Sequence, residues 1–228
     1  MSKIKWDKPG EHFYENGVSN GVLYVMDPAT QKYGKGVAWN GLTSVSESPE
    51  GGELSAIYAD NIKYLNLRSA EDFKATIECY TYPDEFAECN GEVAVKGGFL
   101  ISQQNRKTFA FCYQTKVGND LNPDLGYKIH IVYGATCSPS ERSHETINDS
   151  PEAMTMSFEV DTVPVTVTGF KPTAHIVIDS RAFGDGEGKI KQSVLTSIEN
   201  ALYGTDNEPA KEPTLLWPDE IAALYTEV

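Results

Sequence analysis

The sequence predicts a mostly β protein, antiparallel and sandwich- or barrel-like, with one flanking α-helix. Three observations lead there. The stretches 74–82, 108–115, 127–133 and 154–168 alternate apolar and polar residues with the period of two that half-buried strands require. One long stretch, 189–203, carries instead the 3.6-residue apolar stripe of an amphipathic helix. Between them, Gly, Pro and Asn clusters punctuate the chain. Its 228 residues allow a sizeable core, and 40% hydrophobic and 11% aromatic residues mark a folded protein.

In chain order, residues 1–11 read as a loose arm. Their charge, without an apolar stretch, does not make a signal peptide, so the chain is expected to stay in the compartment where it is made. Gly17 and Asn20-Gly21 read as turn signals ahead of a buried strand, Val22-Leu23-Tyr24-Val25-Met26, and Asp27-Pro28 as a turn. The stretch 33–66 is the most telling. It opens as a strand with Val37 and Trp39, then enters a polar, Pro- and Gly-broken run around Glu47, Ser48, Pro49, Glu50, Glu53 and Leu54. Ile57, Tyr58, Ile62, Tyr64 and Leu65 follow, and are expected to anchor its far end. A flexible acidic projection between two anchored ends reads as an arm reaching a neighbouring subunit, with bounds 46–58.

Residues 69–73 read as a short helical turn capped by Ser69. Residues 83–88 suit a second short helix started by Pro83. Asn90-Gly91 and Gly97-Gly98 bracket a segment expected to be mobile. The pair 108–115 and 127–133 reads as antiparallel strands. Phe109, Phe111 and Tyr113 share a face of the first, and Tyr127, Ile129, Ile131 and Tyr133 a face of the second, with Lys128 and His130 opposite. Within 154–168 the apolar parity flips at Val163, which calls for a bulge or turn near Asp161-Thr162-Val163-Pro164. A last strand covers 174–179. In the helix 189–203, Ile190, Val194, Leu195, Ile198, Ala201 and Leu202 form the stripe and Gly204 ends it. The expected organisation is a β domain over 1–204 and a C-terminal arm over 205–228, whose apolar part docks either on its own body or on a neighbour.

The tests for chemistry fail. Gly184 to Lys189 resembles a phosphate loop, but only three residues separate Gly184 from Gly188, Ile190 replaces the hydroxyl, and Asp185 and Glu187 would repel phosphate. His12, His130, His144 and His175 show no metal-ligand spacing, and Cys79, Cys89, Cys112 and Cys137 no close pair, so buried reduced thiols are expected. Neither catalytic residues nor a cofactor or metal is expected, and the chain does not read as an enzyme. A net charge of −14 opposes tight binding to nucleic acid or to anionic membrane surfaces, while allowing DNA to pass without sticking.

Several motifs, taken in order, resemble the major tail tube proteins of long-tailed, siphophage-type bacteriophages. They are Tyr14-Glu15-Asn16-Gly17-Val18, Gly21-Val22-Leu23-Tyr24, Gly36-Val37-Ala38-Trp39-Asn40-Gly41-Leu42 and Tyr58-Ala59-Asp60-Asn61-Ile62-Lys63-Tyr64-Leu65. Further along come Glu78-Cys79-Tyr80-Thr81-Tyr82-Pro83-Asp84-Glu85-Phe86, Gly126-Tyr127-Lys128-Ile129-His130 and the run 147–153. The resemblance implies a β-sandwich-like body with a flanking helix, assembled as stacked hexameric rings that conduct double-stranded DNA. It implies as partners other copies of the chain, a tape-measure protein, and tail terminator and tail-tip proteins. The location implied is the virion tail, after assembly in the host cytoplasm.

On this reading a polar strand face lines the lumen. Thr155, Ser157, Glu159 and Asp161 lead the candidates, then Thr76, Glu78 and Tyr80; the competing reading makes these faces the solvated exterior. The same tube could belong to a tailocin or a phage-derived injection device. From another class, Trp39, Trp217 and the many tyrosines permit an adhesive or carbohydrate-binding β-module.

Overall fold

The first strand already departs from expectation. In the computed structural model, which describes residues 3–144, 146–147, 149 and 153–226, β1 (Phe13–Asp27) runs unbroken for 15 residues. Gly17 and Asn20, with φ of +70° and +51°, bulge the strand and do not turn it. Each absorbs an extra residue while pairing resumes on the far side. The short β2 (Lys32–Tyr33) and β3 (Val37–Trp39) return along its C-terminal half.

The next six strands form one long nested hairpin with its return. The chain leaves the body as β4 (Leu42–Glu47), passes β5 (Glu50–Gly51) and β6 (Leu54–Ala59), and turns at Asp60-Asn61. It comes back as β7 (Ile62–Arg68), β8 (Glu71–Asp72) and β9 (Lys74–Cys79). β4 pairs with β9, β5 with β8 and β6 with β7. Both turn residues have positive φ, 51° and 62°, as the tightest hairpin loops require. Two expectations are corrected here. Residues 69–73 are not a helical turn, because pairing Glu71 and Asp72 with Gly51 and Glu50 satisfies backbone that an isolated turn would leave to water. The stretch 46–58 is not a flexible loop between anchors but half of an ordered ribbon.

The chain continues through α1 (Phe86–Cys89), which overlaps the second half of the helix expected at 83–88 and ends one residue beyond it. β10 (Val93–Lys96) and β11 (Phe99–Ile101) form a second hairpin where only a mobile segment was expected. β12 (Phe109–Asn119) and β13 (Gly126–Cys137) pair antiparallel, as their alternation predicts. β14 (Met156–Thr162) stops where the parity flips, and Val163 to Pro172 run as a loop and not as a continued strand. β15 (His175–Asp179), a 3-10 turn, α2 (Gln192–Tyr203) and α3 (Pro218–Thr226) complete the fold. Of the 147–153 motif, residues 148 and 150–152 lie outside the described residues.

Nine strands make one antiparallel sheet, along the path β2-β1-β12-β13-β14-β9-β4 with β3 on β1 and β15 on β13. β13 changes partner along its length: residues 128–132 pair with β15, and 135–137 with β14. Gly134, at φ +59°, marks the switch; a Cβ there would lie 2.2 Å from the Val163 carbonyl oxygen.

The sheet buries apolar residues on both faces. On one, Val22, Tyr24, Ile129, Ile131 and Tyr133 pack under Val194, Leu195, Ile198 and Leu202 of α2 and Ile221 of α3. On the other, the sheet curls over Leu23, Phe111, Phe158 and Trp39, with Phe86 of α1 filling the end. The four cysteines are free and buried, as expected. The C-terminal stretch lies on its own body: Leu215 and Ile221 are buried, and Tyr133 donates to the Leu216 carbonyl at 2.7 Å.

Asp219 fastens that tail, accepting hydrogen bonds from the Thr168 backbone N–H at 2.9 Å and hydroxyl at 2.8 Å. These bonds hold its carboxyl below the ordinary 3.8. A carboxylate with a depressed folded pKa stabilises the fold above its unfolded pKa and ceases to as the pH falls through the folded value. Asp219→Asn is therefore expected to lower the thermal midpoint at neutral pH. Melts followed by circular dichroism should show the gap to wild type closing as the pH falls below 3.8.

Candidate functional site

The hairpin β6–β7 carries apolar side chains that none of the described residues covers. Leu54, Ile57, Tyr58, Ile62, Tyr64, Leu65 and Leu67 are all exposed, Tyr58 to 68% and Tyr64 to 67%. Ile57 opposes Leu65 and Ser55 opposes Leu67, which puts Ile57, Leu65 and Leu67 on one face. The residues expected to anchor the arm are thus its projecting part. Of the expected arm residues, Leu54 lies on this ribbon, while Ser48, Pro49, Glu50 and Glu53 form its neck and Glu47 its root. The second hairpin repeats the pattern, with Val93, Val95, Phe99, Leu100 and Ile101 exposed. A contiguous apolar surface of this kind marks an interaction site more often than chance exposure does.

The arm is fixed at its root. The Ser48 N–H donates to the Lys74 carbonyl at 2.8 Å, and Lys74 Nζ lies 2.9 Å from Glu50 and 3.1 Å from Asp161. The hydrogen bonds with Glu50 and Asp161 raise the pKa of Lys74. Phe73 stacks on His175 at 4.6 Å between ring centroids. Glu47, the last residue of β4, accepts from the Tyr113 hydroxyl at 2.7 Å and reaches His130 Nδ1 at 3.3 Å and His175 Nε2 at 3.7 Å.

The two histidines meet through register. His130 pairs with Val177, so His175, two residues along β15, is its diagonal neighbour on the same face. His130 Nδ1 and His175 Nε2 are 3.2 Å apart. Behind them, His130 Nε2 faces Thr115 Oγ1 at 3.1 Å and Glu15 Oε1 at 3.3 Å, and Lys128 pairs with Glu15. The hydrogen bond with His130, the largest influence, holds Glu47 down to about 2. Burial works against the Glu15 carboxylate, but the bonds from Lys128 and Thr115 outweigh it and keep its pKa low. Burial lowers the pKa of His175. No spacing rule relates residues 47, 130 and 175; only the strand register does.

The expected lumen residues divide. On the uncovered face of β14 and β9, Ser157 is registered with Glu78, and Glu159 with Thr76. β4 adds Ser44, whose hydroxyl donates to Glu78 at 2.7 Å, and Ser46 opposite Thr76. These form one contiguous polar face. Asp161 belongs to the arm root, through Lys74. Thr155 and Tyr80 lie just beyond the strands and are exposed. The aromatic surface expected of a glycan binder is absent at the two tryptophans named for it. Trp39 is buried, donating to the Thr81 carbonyl at 3.0 Å, and Trp217 packs against Tyr33 and Tyr133.

The fold and these surfaces define a mostly antiparallel β protein with two projecting apolar hairpins. No protein-family model and no curated protein matches the chain. Among solved structures, it is similar to a chain of the anti-feeding prophage baseplate, with 9% identity, 78% of this chain and 97% of that chain covered, and a TM-score of 0.35. It is also similar to a chain of the PVC extracellular contractile injection system, in its sheath-tube complex in the extended state. There the identity is 12%, the coverage 77% of this chain and 94% of that chain, and the TM-score 0.30. Superpositions this loose carry no argument about function.

Phe73 and Lys74 hold the arm, Phe73 also packing at the margin of the core around Phe158, so weakening either is expected to free the neck. Phe73→Ala removes a stacked pair worth about 1 kcal/mol beyond its buried area. Hydrogen exchange should then speed up several-fold at β5 and β8, with β12 and β13 unchanged.

Proposed function

We propose that this chain is a structural subunit that assembles with copies of itself, and specifically a tail tube subunit. One observation carries the reading: the β6–β7 ribbon projects from the body on a fixed root and leaves seven large apolar side chains uncovered. A ribbon of two strands lacks a third layer to bury them, and an adjoining subunit would supply it. The second exposed hairpin, the antiparallel β body with its flanking helices and the ordered sequence motifs support the same reading.

In this proposal, rings of six subunits stack through the arm around a tape-measure protein, between a tail-tip complex and a terminator. The polar face of Ser157, Glu159, Thr76 and Glu78 lines the lumen, where a net charge of −14 per chain keeps double-stranded DNA from adhering in transit. The subunit works without catalysis or membrane contact, and resides in the virion tail after assembly in the host cytoplasm. The same surfaces would serve the tube of a tailocin or phage-derived injection device.

Negative-stain electron microscopy across a concentration series tests assembly directly. Hollow tubes or six-fold rings are expected, and monomers that stay inert even with a tail-tip complex would sink the reading. Ser69 N–H donates to the Glu53 carbonyl at 3.1 Å, so residues 54–68 can be replaced by an Asn-Gly turn without moving the neck. That variant should keep the wild-type circular dichroism spectrum and form no tubes; tubes from it would refute the role of the ribbon. For the lumen, Glu78→Lys with Glu159→Lys spares Asp161, which holds the root. Tubes should persist while DNA ejection slows, and ejection at the wild-type rate would place this face outside.

A further inference from the structure

We propose that Glu47, His130 and His175 form a binding site for one divalent transition-metal cation of the zinc class. The three donor atoms already stand at the corners of a coordination face. His130 Nδ1 is 3.2 Å from His175 Nε2 and 3.3 Å from Glu47 Oε1, and His175 Nε2 is 3.7 Å from the same oxygen. A tetrahedron with zinc–ligand bonds of about 2.0–2.1 Å has edges of about 3.3–3.4 Å. The cluster needs shifts of a few tenths of an ångström, and no rebuilding.

The surroundings are those of a ligand set. The far nitrogen of His130, Nε2, faces the Glu15 carboxylate and the Thr115 hydroxyl. A carboxylate on the outer nitrogen fixes the tautomer that turns a lone pair of Nδ1 toward the metal and raises its basicity. Lys128 holds Glu15 in turn. The Tyr113 hydroxyl orients Glu47, and the Tyr113 and His130 rings stack at 4.6 Å with 7° between planes. Phe73 covers the His175 ring. Without the ion these groups hydrogen-bond to one another; a cation would take the place of the protons between them.

Donor chemistry selects the ion. Calcium and magnesium prefer all-oxygen shells of six or more ligands, whereas two imidazoles and a carboxylate suit zinc and its neighbours in the first transition row. His130 is buried and His175 nearly so, but the Glu47 side chain is 37% exposed, which leaves access for the ion and room for water as a fourth ligand. The ligands come from β4, β13 and β15, so the bound ion would tie the outgoing strand of the arm to the centre of the sheet. This site stands independently of the assembly reading.

Cobalt(II) is the probe. The purified chain, stripped with a chelator, should take up one equivalent and develop the visible d–d bands of a four-coordinate nitrogen–oxygen site, which zinc then abolishes. Glu47→Gln and His175→Gln should each remove the bands while keeping the wild-type circular dichroism spectrum. Glu15→Gln, which touches only the outer nitrogen, should weaken cobalt affinity about 10- to 100-fold. Wild-type protein without four-coordinate bands would overturn the proposal. So would bands that survive in folded Glu47→Gln and His175→Gln, or that vanish in His12→Asn instead.

Discussion

The structure depends on β13 serving three partners. Along one edge it pairs with β12; along the other it gives its first half to β15 and its last residues to β14. A straight strand cannot do this, because the two partners on that edge diverge. Gly134 supplies the bend, in a conformation L-residues rarely adopt and against a carbonyl that leaves no room for a Cβ. Both outcomes matter. The first half places His130 beside His175 and brings the helix-covered core together, while the second recruits β14, then β9 and β4, and through them the arm.

Most of the body is legible in the sequence because local pattern and burial agree there. The alternation of Ala75, Ile77 and Cys79, or of Met156, Phe158 and Val160, reports a face that is buried within the chain. The helix stripe from Val194 to Leu202 does the same. The reading fails where apolar residues are not covered by the described residues of this chain. Ile57, Tyr58, Ile62, Tyr64 and Leu65 read as an anchor, since apolarity says that a side chain needs a partner and not which molecule provides it. Gly17 and Asn20 read as turns because positive φ serves a bulge as well as a hairpin. The histidine cluster is invisible for a third reason: its members are 83 and 45 residues apart (130 − 47 and 175 − 130), and only the β13–β15 register brings the rings together.

Charge and apolar surface pull against each other in a way that suits ordered self-association. Fully burying one large apolar side chain is worth about 1.5–3 kcal/mol, so a ribbon bearing seven has a strong drive to find cover. Chains of net charge −14 repel one another at long range, and salt screens that repulsion beyond about 10 Å. Random collisions are discouraged, while a docked geometry that buries the ribbon gains its full contact energy. Such a balance favours one specific contact over indiscriminate aggregation.

The arm root is where these threads meet. Lys74 bridges Glu50 on the neck to Asp161 on β14, next to the polar face that Glu159 and Thr76 share. Glu47, two residues before the neck's proline, reaches the histidines on the opposite face of the same strands. The direction of the ribbon is therefore set by contacts on both sides of the sheet. A ribbon two strands wide has little stiffness of its own, so its aim depends on how firmly its base is held. Charged and aromatic contacts at that base, and not the apolar tip, decide where the tip can reach.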